Sequence, residues 1–307
     1  ARDYLGWWGM KSLPKFNTNN PEVRRYILDV ARYWIEQGID GWRLDVPNEI
    51  DDDSFWVEFR HVVKTANPEA YLLGEIWTAD RRWVGDGHFD GLMNYPVRDA
   101  VLRLLFAGTL DTPQFIDKLA ALIKTYPPEN MFAMYVPLGS HDTERLLTKV
   151  ENNLDKARLA FLFQFAFLGA PAIYYGDEIG LTGGKDPACR AAFPWNTSQW
   201  NLELLDWVKK LVALRKQSIA LRRGDYYPLC NDLECSCLAF ARRHSEECVL
   251  VAINASSKAS SFTIAVKDLG WQDGHQVKNL LAIGRVSSVQ NGQIDVTLPA
   301  WSGTWLA

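Results

Sequence analysis

The sequence predicts an α/β fold with an all-β tail: a partial TIM-type (β/α)8 barrel over residues 1–217, then an antiparallel β-sandwich over residues 218–307. Three observations carry this. Apolar runs of strand length alternate with segments of helical period, which argues for a parallel sheet covered by helices. Five such strand-helix units are readable, where a closed barrel needs about eight. From about Ser218 the pattern changes to short alternating runs typical of a sandwich.

The elements follow in order. Asn20-Pro21, with Val23, Ile27, Val30 and Trp34 at helical spacing and Gly38 behind them, reads as cap, first turn, amphipathic helix and stop. IDGWRLDV must then be a strand, and SFWVEFRHVVKTA is helical in period. AYLLGEIW (Ala70 to Trp77) and FDGLMNY (Phe89 to Tyr95) are the next strands, and VRDAVLRLLFAG the next helix. After a helix over Pro113 to Thr125, MFAMYVPLGSHD (Met131 to Asp142) reads as strand plus loop. Helical LDKARLAFLFQFAFL, the strand PAIYY and helical LELLDWVKKLVALRKQ complete the barrel part. The tail offers CSCLAFARR, CVLVAINAS, SFTIAV and IDVTLPAWSGTWLA, the last preceded by the hairpin signal Asn291-Gly292.

Composition narrows the function. With 48% apolar and 23% charged residues, the 307-residue chain can build a large core and a second domain. A net charge of −4 without a basic run gives no support for a nucleic-acid or anionic-membrane partner, and no stretch approaches the roughly 20 apolar residues of a membrane span. Small neutral ligands fit better. Five cysteines without metal-ligand spacing favour a reducing compartment, hence the cytoplasm. The thirteen tryptophans are mostly packing residues, with a few as sugar platforms.

Three predicted strand ends carry carboxylates: Asp45, Glu75 and, after His141, Asp142. In parallel α/β folds ligands bind at that rim. Side chains two apart on a strand share a face, so Arg43 and Asp45 point the same way, and the cation favours an ionised Asp45. Glu75 sits between Gly74 and apolar Ile76 and Trp77, surroundings that favour the protonated acid by desolvation. An ionised carboxylate facing a protonated one is the arrangement of glycoside hydrolysis.

GWRLDVPNE (Gly41 to Glu49), GEIW (Gly74 to Trp77) and GSHDTER (Gly139 to Arg145) resemble, in that order, three signature regions of the α-amylase superfamily of glycoside hydrolases. YYGDEIG (Tyr174 to Gly180) is similar to its strand-eight motif. LPKFN (Leu13 to Asn17) and GGKDPACRAAFPW (Gly183 to Trp195) resemble the neopullulanase, cyclomaltodextrinase and maltogenic amylase branch. The resemblance implies a retaining hydrolase of α-1,4, and also α-1,6, glucosidic bonds in cyclodextrins, pullulan or maltooligosaccharides. It makes Asp45 the nucleophile, Glu75 the acid and base, and Asp142 the carboxylate that stabilises the oxocarbenium-like sugar. Arg43 would orient Asp45, and His141 would bond the sugar at the cleavage position. Asn48, Glu49, Asp186 and Arg190 are further substrate-contact candidates. Trp77 either stacks on a glucose ring or walls the pocket, and Asn48 and Glu49 serve equally well as exposed cap residues. His61, His88, His244 and His275 read as structural.

No organic or redox cofactor is implied. The superfamily allows calcium, but its usual ligand region lies mostly outside this chain, so no metal ligand is named. The superfamily's DxVxNH-type segment and the branch's N-terminal β-domain are also without counterpart. The expectation is therefore the C-terminal part of a longer protein, about strands 4–8 of the barrel, lacking the partner segment in front and the homodimer contacts it supplies. Such an open sheet would expose edges and barrel interior. Alternatives are an α-glucan transglycosylase, in which a sugar hydroxyl captures the intermediate, and a non-catalytic carbohydrate-binding relic. Retention of all three carboxylates favours the enzyme.

Overall fold

A computed structural model describes residues 3–105, 111–232 and 236–307. It divides into two compact units, Ala1–Asn94 with Thr125–Tyr135, and Tyr95–Lys124 with Val136–Ala307. The helices and strands of the first part are α1 (Pro21–Glu36), β1 (Gly41–Leu44), α2 (Asp53–Ala66), β2 (Tyr71–Gly74) and β3 (Gly91–Leu92). Then come α3 (Tyr95–Leu105), α4 (Thr112–Thr125), α5 (Pro128–Phe132), β4 (Tyr135–Pro137), α6 (Leu146–Lys149), α7 (Leu154–Ala166) and β5 (Ala170–Ala172). The rest comprises α8 (Leu202–Gln217), α9 (Ile219–Arg223), β6 (Asp225–Asp232), β7 (Cys237–Arg243), β8 (Cys248–Asn254), β9 (Ser260–Ala265), β10 (Arg285–Val286), β11 (Gln293–Leu298) and β12 (Ser302–Leu306).

In the first unit, α1 starts where the sequence places it, because the Asn20 side chain accepts the Glu22 and Val23 amides and Pro21 needs no amide partner. Leu28, Ala31 and Ile35 form its buried stripe. Asp52 caps α2 in the same way. The sheet runs β1-β2-β3, all parallel, with Arg43 opposite Leu73 and Leu44 opposite Gly74. That register brings the ends of β1 and β2 level, which later decides who meets whom. Behind the sheet, Asp90 accepts Lys64 Nζ at 2.8 Å, the Leu72 amide at 2.8 Å and Arg60 Nη1 at 2.9 Å. Burial alone would push this carboxyl up, but the bonds from Lys64, Leu72 and Arg60 outweigh it and hold it below the usual range.

Met131 lies in α5 rather than in a strand: Pro128 occupies the first helical turn, and Asn130 donates to the Asp90 carbonyl. The strand begins only at Tyr135, which forms a parallel bridge with Met93. The end of the predicted VRDAVLRLLFAG helix, Phe106 to Gly108, lies outside the described residues, as does Cys235 of the predicted CSCLAFARR strand.

In the second unit, β4 pairs with β5, and the buried Gln164 of α7 donates to the carbonyls of both Val136 and Ala172. Helix α7 is buried along almost its whole length, so its sequence carries no polar face. Two sheets follow, β12-β8-β7-β6 and β10-β11-β9, antiparallel throughout. Strand β6 and the short α9 ahead of it are additions to what the sequence pattern predicted. Strand β7 is covered on both faces: Cys237, Ala239 and Ala241 enter the core between the sheets. On its other face Phe240 meets Phe163 of α7 edge-on, and Arg242 donates to the Ala166 and Phe167 carbonyls at 2.7 Å. Arg215 of α8 adds bonds to the Phe165 and Gly169 carbonyls. Two buried guanidiniums thus cap the carboxyl end of α7, where the helix dipole concentrates negative potential. Burial draws Arg242 down to about 9, helped by the like charge of Arg215.

Candidate functional site

In the first unit the aligned strand ends build a cluster of three charged side chains. Arg43, on β1, uses Nη1 to bond Asp45 and places Nη2 3.0 Å from Glu75 Oε1, without hydrogen-bond alignment. The expected contact of Arg43 with Asp45 is present, although Asp45 stands one residue beyond the end of β1, and Arg43 also touches Glu75, a contact the sequence reading gave it no reason to make. The register explains it: residue 74 stands opposite residue 44, so Glu75 emerges beside Asp45.

The two carboxylates differ sharply in setting. The Asp45 side chain is 73% exposed, and that of Glu75 only 4%. Glu75 is fixed by its own amide, which donates to the Leu44 carbonyl, and by the Val46 amide, which donates to Oε2 at 3.0 Å. Val46 reaches it from a left-handed backbone conformation, φ 33°. A β-branched residue is a genuine outlier there. The strain sits between the exposed and the buried carboxylate, where it aims an amide at the latter. Gly74, just before Glu75, cannot carry a side chain, because a Cβ would stand 2.4 Å from the Phe89 ring.

Beyond Glu75 on the same segment, Trp77 is 44% exposed. Asn48 is exposed in the turn Pro47–Glu49, and Glu49 lies 3.8 Å from Lys15 of the LPKFN segment. His88, assigned a structural role, bonds Asp53 at 2.9 Å.

In the second unit, His141 Nε2 lies 3.1 Å from Asp142 Oδ2, and Arg190 Nη2 lies 3.2 Å from Asp142 Oδ1. Arg190 Nε also donates to the His141 carbonyl at 2.9 Å and lies 2.7 Å from Asp186. The GGKDPACR loop thus brings Asp186 and Arg190 together and puts the guanidinium on the Asp142 carboxylate.

Beneath this loop lies a buried pair that the sequence reading left without a role. Arg145 is fully buried, bonds the Tyr175 carbonyl at 2.6 Å and meets Asp177 at 3.2 Å. Its guanidinium lies 4.6 Å from the Tyr174 ring centre and 4.7 Å from that of Tyr175, and these faces take the place of hydrogen bonds that its Nε and Nη2 lack among the described residues. Burial pushes the Asp177 carboxyl up to about 7 against the opposing pull of Arg145. A Cβ on Gly139 would stand 2.3 Å from Asp177 Oδ2, so the loop bearing His141 and Asp142 begins at a residue where any side chain would have to displace the Asp177 carboxylate. Among the described residues, no group of three or more His, Cys, Asp and Glu side chains is arranged to hold a metal ion.

The family model described as Alpha amylase, catalytic domain, matches residues 2–224. The chain belongs to the alpha-amylase family. A second model, Neopullulanase-like, C-terminal domain, matches residues 234–304. A cyclomaltodextrinase of Geobacillus thermopakistaniensis is 48% identical over 84% of this chain and 44% of its own length. Neopullulanase 2 of Thermoactinomyces vulgaris is 39% identical over 95% of this chain and 49% of its own length. Among solved structures, a debranching enzyme from Nostoc punctiforme is 37% identical, with a TM-score of 0.91, and the match covers 99% of this chain and 65% of that one. This alpha-amylase family chain spans about half the length of the curated relatives it matches. No described helix is long and apolar enough to cross a membrane.

Proposed function

We propose that this chain carries the nucleophile and the acid/base of a retaining α-glucosidase-type hydrolase, in a fold corresponding to about strands 4–8 of a (β/α)8 barrel. The observation that carries the reading is the guanidinium of Arg43 shared between exposed Asp45 and buried Glu75. Two carboxylates on the two amino groups of one arginine sit close together. That supports the spacing of about 5–5.5 Å used for retention over the about 6.5–9.5 Å that leaves room for a water in inversion.

In the proposed reaction, Asp45 attacks the anomeric carbon while Glu75 gives its proton to the departing glycosidic oxygen. Glu75, now a carboxylate, then takes a proton from the water that displaces Asp45. Positive charge developing on the sugar ring is met by Asp45; the roles of third carboxylate for Asp142 and hydroxyl partner for His141 rest on the resemblance of GSHDTER to the family's signature region. Glu75 Oε2 accepts the Val46 amide at 3.0 Å, which orients the carboxyl, and Oε1 lies 3.0 Å from Arg43 Nη2. The names of the relatives, cyclomaltodextrinase and neopullulanase, support cyclodextrins and pullulan as substrates.

The test is release of reducing sugar from β-cyclodextrin and pullulan, by this chain and by the full natural polypeptide in which it occurs. A mechanism-based fluorosugar should label Asp45. Labelling of another residue, or full activity in Glu75→Gln on an unactivated maltooligosaccharide, would remove the assignment.

A further inference from the structure

A second cavity, of about 450 Å³, lies wholly within the second unit and is walled by α7, α8 and the loop between β11 and β12. Its volume falls within the roughly 300–1,000 Å³ of small-ligand sites. Leu159 and Leu162 form an apolar floor, and the half-buried indoles of Trp207 and Trp301 line it. Both rings are held before any ligand arrives. The Trp207 Nε1 donates to the Arg158 carbonyl at 3.0 Å, and Lys156 Nζ lies 4.7 Å from the Trp301 ring centre. Preorganised aromatic walls cost a ligand little ordering entropy.

Trp301 has a second peculiarity: its backbone is left-handed, φ 46°. A turn position of this kind suits glycine or asparagine, and a bulky aromatic residue there is strained. Such an outlier argues for a use of the side chain.

The charges at the rim identify the ligand class. Arg158 lies 2.9 Å from Glu203 and 3.6 Å from Asp155, Asp206 lies 3.9 Å from Lys209, and Lys210 donates to the Leu281 carbonyl at 3.1 Å. Each charged side chain lining the cavity already has a partner, so none demands an ionic ligand. What the rim offers is donors and acceptors side by side, around apolar and aromatic surface. A neutral ring with an apolar C–H face and a hydroxylated edge matches that combination.

We propose that this cavity is a second carbohydrate site, taking one or two glucose rings of an α-glucan against Trp207 and Trp301. The choice of α-glucan among neutral sugars rests on the function proposed above; the sugar-binding assignment itself rests on the cavity.

The experiment is native electrophoresis in gels containing soluble starch, with dextran sulfate gels as the anionic counterpart. The proteins are the wild type, Trp301→Gly, Trp207→Leu and Glu75→Gln. Glycine suits the backbone at 301, and unchanged melting midpoints verify folding. Starch should retard the wild type and Glu75→Gln alike, with an apparent affinity about tenfold weaker in each tryptophan variant, the size of one lost ring contact. Unchanged starch retardation in both tryptophan variants, or retardation by dextran sulfate instead of starch, overturns the proposal. If the full natural polypeptide does not hydrolyse β-cyclodextrin while starch binding still follows the tryptophans, the catalytic reading falls and the second site stands.

Discussion

Replacing Asp177 by asparagine should change how stability depends on pH. Asp177 is 2% exposed, and its carboxyl is raised from the ordinary 3.8 to about 7. The folded form therefore holds a proton that the unfolded chain releases, and stability from this group is complete below about pH 4 and lost as pH rises towards 7. Between about pH 5 and about pH 7 the folded state holds about one proton more than the unfolded chain, and little is added above that, so the loss amounts to about 2–3 kcal/mol at about 1.4 kcal/mol per unit. Asparagine is nearly isosteric with the protonated acid and does not titrate. Urea unfolding of both proteins should show the variant gaining about 2–3 kcal/mol relative to wild type over that range. A difference that stays constant with pH, or moves the other way, would mean that Asp177 is ionised throughout and that Arg145 outweighs its burial.

Other outcomes follow from the same contacts. Arg43→Lys should lower kcat at least about a hundredfold while the fold is kept, because a point charge cannot serve two carboxylates as a planar fork does; steady-state kinetics on β-cyclodextrin would check it. Gly139→Ala should destabilise by about 1–3 kcal/mol through the 2.3 Å approach to Asp177 Oδ2, and should do so less in an Asp177→Ser background; denaturation of the single and double variants measures the coupling. Arg242→Met should cost about 3–5 kcal/mol by leaving the Ala166, Phe167 and Gly224 carbonyls short of donors, read as a lower urea midpoint.

The pairing of Arg43 with Asp45 was legible because the two stand only two residues apart, although β1 ends at Leu44 and Asp45 follows it. Arg43 with Glu75 was not, since it depends on register between β1 and β2, and nothing local sets that register. The same distinction separates the caps at Asn20 and Asp52, formed within three residues, from the Arg145–Asp177 pair, whose members stand 32 apart. Arg242 was hidden for a different reason. In CLAFARR it reads as the polar end of a strand, and only the carbonyls of α7 above that face give a buried guanidinium partners. Strand β3 was found but overestimated: two residues pair as a ladder, while flanking Phe89 is held by the Trp83 carbonyl in a loop.

The capping of α7 by Arg242 also bears on how such a protein can be recombined. The sequence changes character near Ser218, and a splice there would look natural. Yet one of the two guanidiniums that finish α7 comes from β7, beyond that point, and its other bonds go to the Gly224 carbonyl. A chimera joined at residue 218 would keep Arg215 but lose the Arg242 bonds to the Ala166 and Phe167 carbonyls unless the donor sequence also brought an arginine to the same place on its second strand. The tolerant crossover lies upstream of α7, so that helix and sandwich travel as one inherited block.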